Sequence, residues 1–164
     1  MRPALALPAV LVLMLVGPAS ADEWAYEDAG VPIAYVDNGE AQFQFACRGG
    51  DLALGYWVRA PHRTVAGASA MNLAIVPDPA AAAEAASISG ASFAQEIPLI
   101  HHEGSSMIVR GPVAQRWARL AQRAARTLRL AYMRNEGRLE VFDSHTFSAS
   151  GSAAAIGKVL DRCG

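Results

Sequence analysis

The chain has 164 residues and a nearly balanced charge, with 14 lysine and arginine residues against 15 aspartate and glutamate residues. A balance of this kind favours neither nucleic acid nor a membrane surface as an obligate partner, and we expect no nucleic-acid binding. The length suits one ordinary domain with a sizeable core, which needs no metal ion for its stability.

The first 21 residues have the pattern of a cleaved secretory signal. Arg2 is their only charged residue, the segment 4–16 is uncharged and mostly apolar, and Ala19-Ser20-Ala21 is a small-x-small cleavage site. The apolar segment is too short for a membrane-spanning helix, which needs about 20 residues. We therefore predict a signal peptide over 1–21, one globular domain over 22–164 without a transmembrane segment, and a periplasmic or secreted location.

The two cysteines, Cys47 and Cys163, are far apart in the chain. In an oxidising compartment, an even number of cysteines without metal-ligand spacing predicts a disulfide. A nucleophilic or redox thiol is the alternative, but the chain has no C-x-x-C motif and no histidine close to either cysteine.

The N-terminal part of the chain predicts an antiparallel meander. The segment 24–37 alternates loosely, and Pro32 indicates an edge or irregular strand. The sequence Asp37-Asn38-Gly39-Glu40 is typical of a hairpin turn. Strict alternation of apolar and polar residues over 41–47 predicts a strand, and 52–58 follows as its partner.

The middle of the chain is less regular. The segment 59–67 has the composition of a loop, and 68–76 predicts a fourth strand. We interpret 77–96 as a surface excursion with at most one short helix, because its alanine run has helix propensity but no apolar stripe. Short strands over 97–100 and 107–110 are predicted to flank a polar turn.

The clearest predicted helix begins at Pro112 and ends near Ala125. One face of this helix is predicted to be apolar and to consist of Val113, Trp117, Leu120, Ala121 and Ala124. A separate, basic face is predicted to consist of Arg116, Arg119, Arg123 and Arg126.

Period-two patterning returns after this helix. A strand is predicted from about Thr127 and a long return strand over 138–149. A final helix over 153–161 follows, capped by Ser150 or Ser152, and Cys163 would pin its end to the strand that carries Cys47. We therefore predict an α+β fold: a mainly antiparallel sheet, curled into a sandwich or half-barrel, with one amphipathic helix and a short C-terminal helix.

The C-terminal third resembles small exported bacterial proteins of the invasion-associated locus B type. The likeness lies in the order helix, strand, hairpin, strand and short helix, and in a junction with Ser148, Gly151 and the pair Ala154-Ala155 in matching places. The resemblance implies a β-rich, sandwich-like domain, a setting in the cell envelope or at a host, and no catalytic residues. The chain departs from the family pattern in having one pair of cysteines instead of several.

The basic face is the strongest candidate for a partner site. The segment 110–134 contains seven arginines and no acidic residue. Guanidinium groups bind phosphates and carboxylates in a bidentate manner, so an unknown protein or an anionic envelope component is the expected partner. The alternative is a solvated helix face whose charges pair with Glu136, Glu140, Asp143 or other acids.

Other residue clusters carry weaker hypotheses. The sequence His101-His102-Glu103, with His62 or His145, contains metal-ligand types, but a surface turn is the simpler interpretation, and we predict no metal site or cofactor. The sequence Asp143-Ser144-His145 contains the residue types of a hydrolytic triad, but on a strand Ser144 would face away from the other two. Aromatic residues could line a ligand groove or form the core; these are Trp24, Trp57, Trp117, Phe43, Phe45, Tyr56 and Tyr132.

These observations lead to one function hypothesis and two alternatives. We expect a non-enzymatic envelope or secreted interaction protein without catalytic residues. A small periplasmic hydrolase with dispersed catalytic groups is one alternative, and a structural accessory subunit of an envelope complex is the other.

Overall fold

The computed structural model describes residues 22–79, 92–135 and 138–163, so the predicted signal peptide lies outside the described residues. This part of the chain contains ten strands and three helices. In chain order they are β1 (Ala25–Asp28), β2 (Pro32–Asp37), β3 (Ala41–Arg48), β4 (Asp51–Val58), α1 (Arg63–Ala66), β5 (Met71–Pro77), β6 (Ser92–Glu96), β7 (Leu99–His101), β8 (Gly104–Arg110), α2 (Gly111–Arg123), β9 (Thr127–Asn135), β10 (Leu139–Ser148) and α3 (Ser152–Cys163).

The strands form two antiparallel sheets, which confirms the predicted α+β class with a mainly antiparallel sheet. The first sheet has six strands in the order β1-β2-β3-β4-β8-β7, and the second has four in the order β10-β9-β5-β6. The predicted meander is the part of the first sheet that runs from β2 to β4. Its Asn38-Gly39 turn has the expected positive φ at Gly39, 89°.

The two sheets and the two longer helices share one hydrophobic core. Alternate residues of β3 and β4 point inward, because strand side chains change face with period two. The sheets meet where Tyr56 lies against Tyr132, with ring centroids 5.1 Å apart, and where Phe43 lies 6.0 Å from Phe147. Helices α2 and α3 pack against each other and against the six-stranded sheet.

The predicted disulfide joins Cys47 at the end of β3 to Cys163 at the end of α3, with Cα atoms 5.7 Å apart. The helix it fastens buries Ile156, Val159 and Leu160, as the sequence predicts. Ser152 is the first residue of α3, and its hydroxyl donates to the carbonyl of Ala121 on α2 at 3.0 Å. This hydroxyl therefore links two helices.

Some N-terminal elements differ from the prediction. The segment 24–37 is two paired strands, because Gly30 with φ 93° allows a tight turn between β1 and β2. Pro32 is the first residue of β2, which is an interior strand of the sheet. Proline is tolerated at the first position of a strand even inside a sheet. The prediction of an edge strand from Pro32 was therefore wrong. The loop 59–67 contains the short helix α1.

The central segment also differs. Of the excursion predicted over 77–96, residues 80–91 lie outside the described residues, while 92–96 form strand β6 by pairing with β5. The polar turn is shorter than predicted, because β8 begins at Gly104. Helix α2 ends at Arg123, so Arg126 is not a residue of the helix.

Candidate binding surfaces

Helix α2 presents arginines on the side opposite to its buried residues. Its buried side consists of Ala114, Trp117, Ala118 and Ala121. Arg116, Arg119 and Arg123 are exposed. At 100° per residue these three side chains leave the helix within a sector of about 60°. We call these three residues the arginine face.

Arg126 lies beyond the helix, where Asp78 organises the backbone. The Asp78 carboxylate accepts hydrogen bonds from the backbone N–H groups of Ala125, Arg126 and Thr127 at 2.7, 2.6 and 3.0 Å. These bonds, led by that from Ala125, hold the pKa of Asp78 below its usual range, and the charge of Arg126 adds to the effect. The Arg126 side chain is exposed, but it belongs to this junction and not to the arginine face.

Of the three acids named in the sequence as possible partners of the arginines, two are engaged elsewhere. Glu140 pairs with Arg138 at 2.9 Å. The Asp143 carboxylate accepts a hydrogen bond from the His62 backbone N–H at 2.7 Å. Glu136 lies outside the described residues. Within the described ranges, no acidic side chain pairs with a residue of the arginine face.

The other arginines of the acid-free segment lie on different surfaces. Arg110 is exposed immediately before α2. The Arg129 Nε donates to the Ser144 hydroxyl at 2.6 Å. The Arg134 guanidinium lies over the ring of Phe142 at 6.0 Å. The seven arginines therefore do not form one continuous patch, and the exposed helical cluster is limited to the arginine face.

The histidines are dispersed. His102 contacts Glu103 at 3.5 Å in the β7–β8 turn, while His145 contacts Glu40 at 3.4 Å at the far side of the core. Nδ1 of His62 accepts the backbone N–H of Thr64. The part of the chain that the structure describes contains no group of three histidine, cysteine or acidic side chains that could hold a metal ion.

The Asp143-Ser144-His145 segment is a bulge in β10. The pairing with β9 shifts between Phe142 and His145, and Asp143 has φ 44°. The three side chains bond to different partners: Asp143 to the His62 backbone, Ser144 to Arg129, and His145 to Glu40. They do not form a relay with one another. The bulge also places the Asp143 carbonyl 2.7 Å from the hydroxyl of Tyr56, which donates to it.

Six of the seven aromatic residues singled out in the sequence are core residues. Trp24, Trp117, Phe43, Phe45, Tyr56 and Tyr132 are all buried. Burial raises the pKa of the Tyr56 and Tyr132 phenols well above their usual range, because an ionised oxygen would lose its hydration. Trp57 is the exception: it lies on the opposite, outer face of the six-stranded sheet.

Trp57 borders a groove of about 330 Å³ on this outer face, which we call the outer-sheet groove. Its lining side chains come from β3, β4 and β8, and they include Gln42, Gln44, Gly55, Trp57, Ser106 and Ile108. The exposed residues His101 and Glu103 of the β7–β8 hairpin also border it. Trp57 is among the aromatic residues predicted to line a groove or form the core, but the polar lining from Gln42 and Gln44 was not predicted, although the alternation of β3 places both on one face.

The register of the sheet explains how the groove forms. Gln42 pairs with Trp57, which pairs with Ser106, so these residues make one row across three strands. Gln44, Gly55 and Ile108 make the next row. Since Gly55 has no side chain, the Gln44 side chain lies across the middle of the second row, and Ile108 forms an aliphatic wall of the groove.

Edge strand β7 and the segment just before it carry exposed apolar side chains. Ile97, Leu99 and Ile100 are 62%, 51% and 49% exposed, and they are the large hydrophobic residues of the described ranges that are most open to solvent. Leu99 pairs with Ser106 of the groove. Leu99 therefore extends the row of Trp57 and Ser106 with an apolar side chain, whereas Ile100 pairs with Ser105 and lies on the other face of the sheet.

Comparison of the chain with models of protein families, with curated proteins and with solved structures found no match. Among the helices of the described ranges, none is both long enough and apolar enough to cross a bilayer. The Cys47–Cys163 disulfide is compatible with an exported protein, because disulfides persist in oxidising compartments.

Proposed function

We propose that the chain is an exported, non-enzymatic binding protein that docks an acidic segment of a partner protein through the arginine face. The observation that carries the proposal is the presence of three exposed guanidinium groups on one side of a helix, with no carboxylate partner among the described residues. An export signal over 1–21 and the disulfide support a periplasmic or secreted setting for this binding.

The spacing of the arginine face suits carboxylates along a peptide. With a rise of about 1.5 Å per residue, the Cα atoms of Arg116 and Arg123 are separated by about 10 Å along the helix axis. Arginine binds a carboxylate through two parallel N–H···O bonds, and three such contacts over this length define an orientation as well as an attraction.

The helix is a rigid platform for these contacts. Trp117 and Ala121 on its opposite side are fully buried in the common core. The guanidinium groups therefore start from a fixed backbone, and binding orders only the arginine side chains.

The same burial argues against insertion of α2 into a lipid interface. A helix that lies in a lipid interface inserts its apolar face among the acyl chains. The apolar face of α2 packs against the six-stranded sheet and α3 instead. A protein partner needs only the polar side, which is the side that α2 exposes.

The test is a titration of the purified protein with poly-L-glutamate, followed by calorimetry at roughly 50 mM and roughly 500 mM salt. We expect saturable binding at low salt that weakens strongly at high salt. In the triple variant R116Q/R119Q/R123Q, the affinity should fall about tenfold, because each exposed arginine–carboxylate pair contributes about 0.2–1 kcal/mol.

The matched control is R48Q/R63Q/R138Q, which also removes three positive charges but takes them from outside the arginine face. It should bind almost as well as the unaltered protein. Equal affinity of both triple variants would contradict the proposal. Binding to anionic phospholipid vesicles but not to poly-L-glutamate would replace the protein partner with a membrane. Binding that is insensitive to salt would exclude an arginine-driven contact.

A further inference from the structure

The outer-sheet groove is a second candidate binding surface, separate from the arginine face. Helix α2 packs its apolar residues against the inner, core-facing side of the six-stranded sheet. The groove is on the outer side of the same sheet, where Gln42, Gln44 and Trp57 are partly exposed. A ligand in the groove and a partner on α2 would therefore bind to different sides of the sheet.

The lining combines neutral hydrogen-bonding groups with an aromatic ring. The amides of Gln42 and Gln44 each offer donors and an acceptor, and the Ser106 hydroxyl offers both. Trp57 and Ile108 supply apolar surface. Ligand sites typically combine apolar walls with a few polar groups that fix orientation, and the volume of about 330 Å³ is at the small end of their range.

The charged groups around the groove are one ion pair, Asp37 with Arg59, and one exposed carboxylate, Glu103. Asp37 accepts two hydrogen bonds from the Arg59 guanidinium, one of them 3.1 Å long. Burial alone would raise the pKa of Asp37, but the bonds from Arg59 and from the Gly39 N–H outweigh it and lower the pKa. At the other end, Glu103 contacts His102. Among the described residues, the lining of the groove therefore has one carboxylate and no cluster of like charges that would select an ionic ligand.

Trp57 is held in position from two sides. The paired guanidinium of Arg59 lies over its ring, 4.6 Å from the centroid. The indole also lies against Gly104, where a Cβ would be only 2.9 Å from the Trp57 Nε1. A preorganised aromatic side chain loses little freedom on binding, which favours a ligand that packs against it.

Gly55 keeps the floor of the groove low, because the Gln44 side chain lies across it. Glycine in the interior of a strand is destabilising, and it often marks a place where a ligand or another chain approaches closely. The backbone gives no reason for glycine here, because Gly55 does not have a positive φ. A Cβ at this position would lie 3.1 Å from the Gln44 side chain, so the glycine lets that amide lie low in the floor of the groove.

We infer that the outer-sheet groove binds a neutral saccharide. A sugar ring has hydroxyl groups that donate and accept, which the two amides and the serine hydroxyl match. It also has an apolar C–H face that can pack against the indole and Ile108. A hydrocarbon ligand would leave the amides unpaired, which costs free energy, and an ion would find no cluster of opposite charge.

The proposal is tested by NMR, which monitors the amide signals of the groove residues themselves. The purified, disulfide-bonded protein is labelled with ¹⁵N and titrated with glucose, galactose, mannose, N-acetylglucosamine and the disaccharides maltose and cellobiose. We expect at least one of these sugars to bind saturably in the millimolar range and to shift the side-chain amides of Gln42 and Gln44 and the backbone amide of Gly55.

Two variants in strand β4 distinguish binding in the groove from a general effect of altering the surface. In G55V the new side chain displaces the Gln44 amide from the floor of the groove, and the affinity for the bound sugar should fall at least tenfold. The control A53V places the same side chain one row away on the same face, outside the lining, and should change the affinity less than twofold. Both variants add a residue that suits a strand, and their native spectra verify the fold.

The inference is overturned if none of the six sugars shifts these amides. It is also overturned if G55V and A53V bind equally well, or if a neutral peptide such as tetraglycine shifts the groove while the sugars do not. The variant R116Q/R119Q/R123Q should bind the sugar unchanged. The proposal of a saccharide site and the proposal for the arginine face can therefore be contradicted independently of each other.

Discussion

At the scale of single residues, Asp78 shows how one side chain sets the boundary between two elements. It has φ 43°, and its carboxylate accepts three consecutive backbone N–H groups after α2. Its own N–H donates to the Thr127 carbonyl at 2.8 Å. These contacts terminate the helix before Arg126 and start β9 at Thr127. A carboxylate 48 residues away in sequence thus removed Arg126 from the predicted helix face.

We predict that Asp78 makes the stability of the protein depend on pH. Its pKa in the folded protein is below the ordinary value of 3.8, so its contribution is complete at neutral pH and is lost as the pH falls below that value. The variant D78N keeps a side chain that tolerates positive φ but removes the charge. It should lower the free energy of unfolding by about 1–2 kcal/mol at pH 7, measured by urea denaturation.

The difference between the unaltered protein and D78N should shrink as the pH is lowered from 7 to 3. The control D161N changes an exposed carboxylate on α3 and should have little effect at either pH. A difference for D78N that is constant over this range would contradict the assigned role of the charge.

At the scale of elements, strands with one polar and one apolar face were predictable. β3 and β4 alternate strictly, because one face meets the core and the other meets solvent. β6 was missed because its five residues have no pattern of their own beside the alanine run, and only pairing with β5 makes them a strand. The bulge at Asp143 also leaves no signal in the local pattern of β10.

The disulfide connects two elements of the fold. It was predicted from the even number of cysteines and from the oxidising compartment that the signal peptide implies. It fastens the end of α3 to β3 across 116 residues. On the chain-entropy model, a loop of this length stabilises the fold by about 5 kcal/mol, because it restricts the unfolded chain. Helix α3 also has its own buried contacts, so its docking does not depend on the bridge alone.

We predict that the variant C47A/C163A folds but loses about 3–5 kcal/mol of stability in urea denaturation. Reduction of the unaltered protein with dithiothreitol should cause a similar loss. The variant itself should be insensitive to dithiothreitol, which serves as the control. No difference in stability between the oxidised and reduced proteins would show that the bridge does not constrain the unfolded chain.

At the scale of the whole molecule, the two sheets depend on each other. Tyr56 belongs to the six-stranded sheet and Tyr132 to the four-stranded sheet, and their rings pack together in the centre of the common core. Separating the sheets would expose both rings. The shared core therefore favours a single cooperative unfolding transition.

An alkaline titration tests this cooperativity. Because burial raises the pKa of both phenols above the ordinary 10.0, the folded state keeps its stability below that pH and loses it as the pH rises further. We predict that Tyr56 and Tyr132 ionise only when the protein unfolds, so that part of the absorbance change at 295 nm coincides with the loss of far-UV circular dichroism.

Tyr26 and Tyr35 are partly exposed and should ionise in the folded protein. In guanidinium chloride, all four tyrosines should titrate together as the control. Complete ionisation of all four while the circular dichroism remains native would contradict a common core.

The sequence by itself determined the features that depend on neighbouring residues: the alternation of β3 and β4, the amphipathic helix α2 and the turn at Asn38-Gly39. These follow from the period of the side chains and the φ values that glycine allows. The cysteine pair also followed from the sequence, since no other cysteine was present to compete.

Only the tertiary structure decided which distant segments meet. It pairs β4 with β8 and β5 with β9, and it brings Asp78 to the end of α2. Such contacts depend on how the whole chain closes on itself, and local periodicity carries no information about them. The outer-sheet groove depends on register in the same way, because Gln44, Gly55 and Ile108 become neighbours only when three strands align.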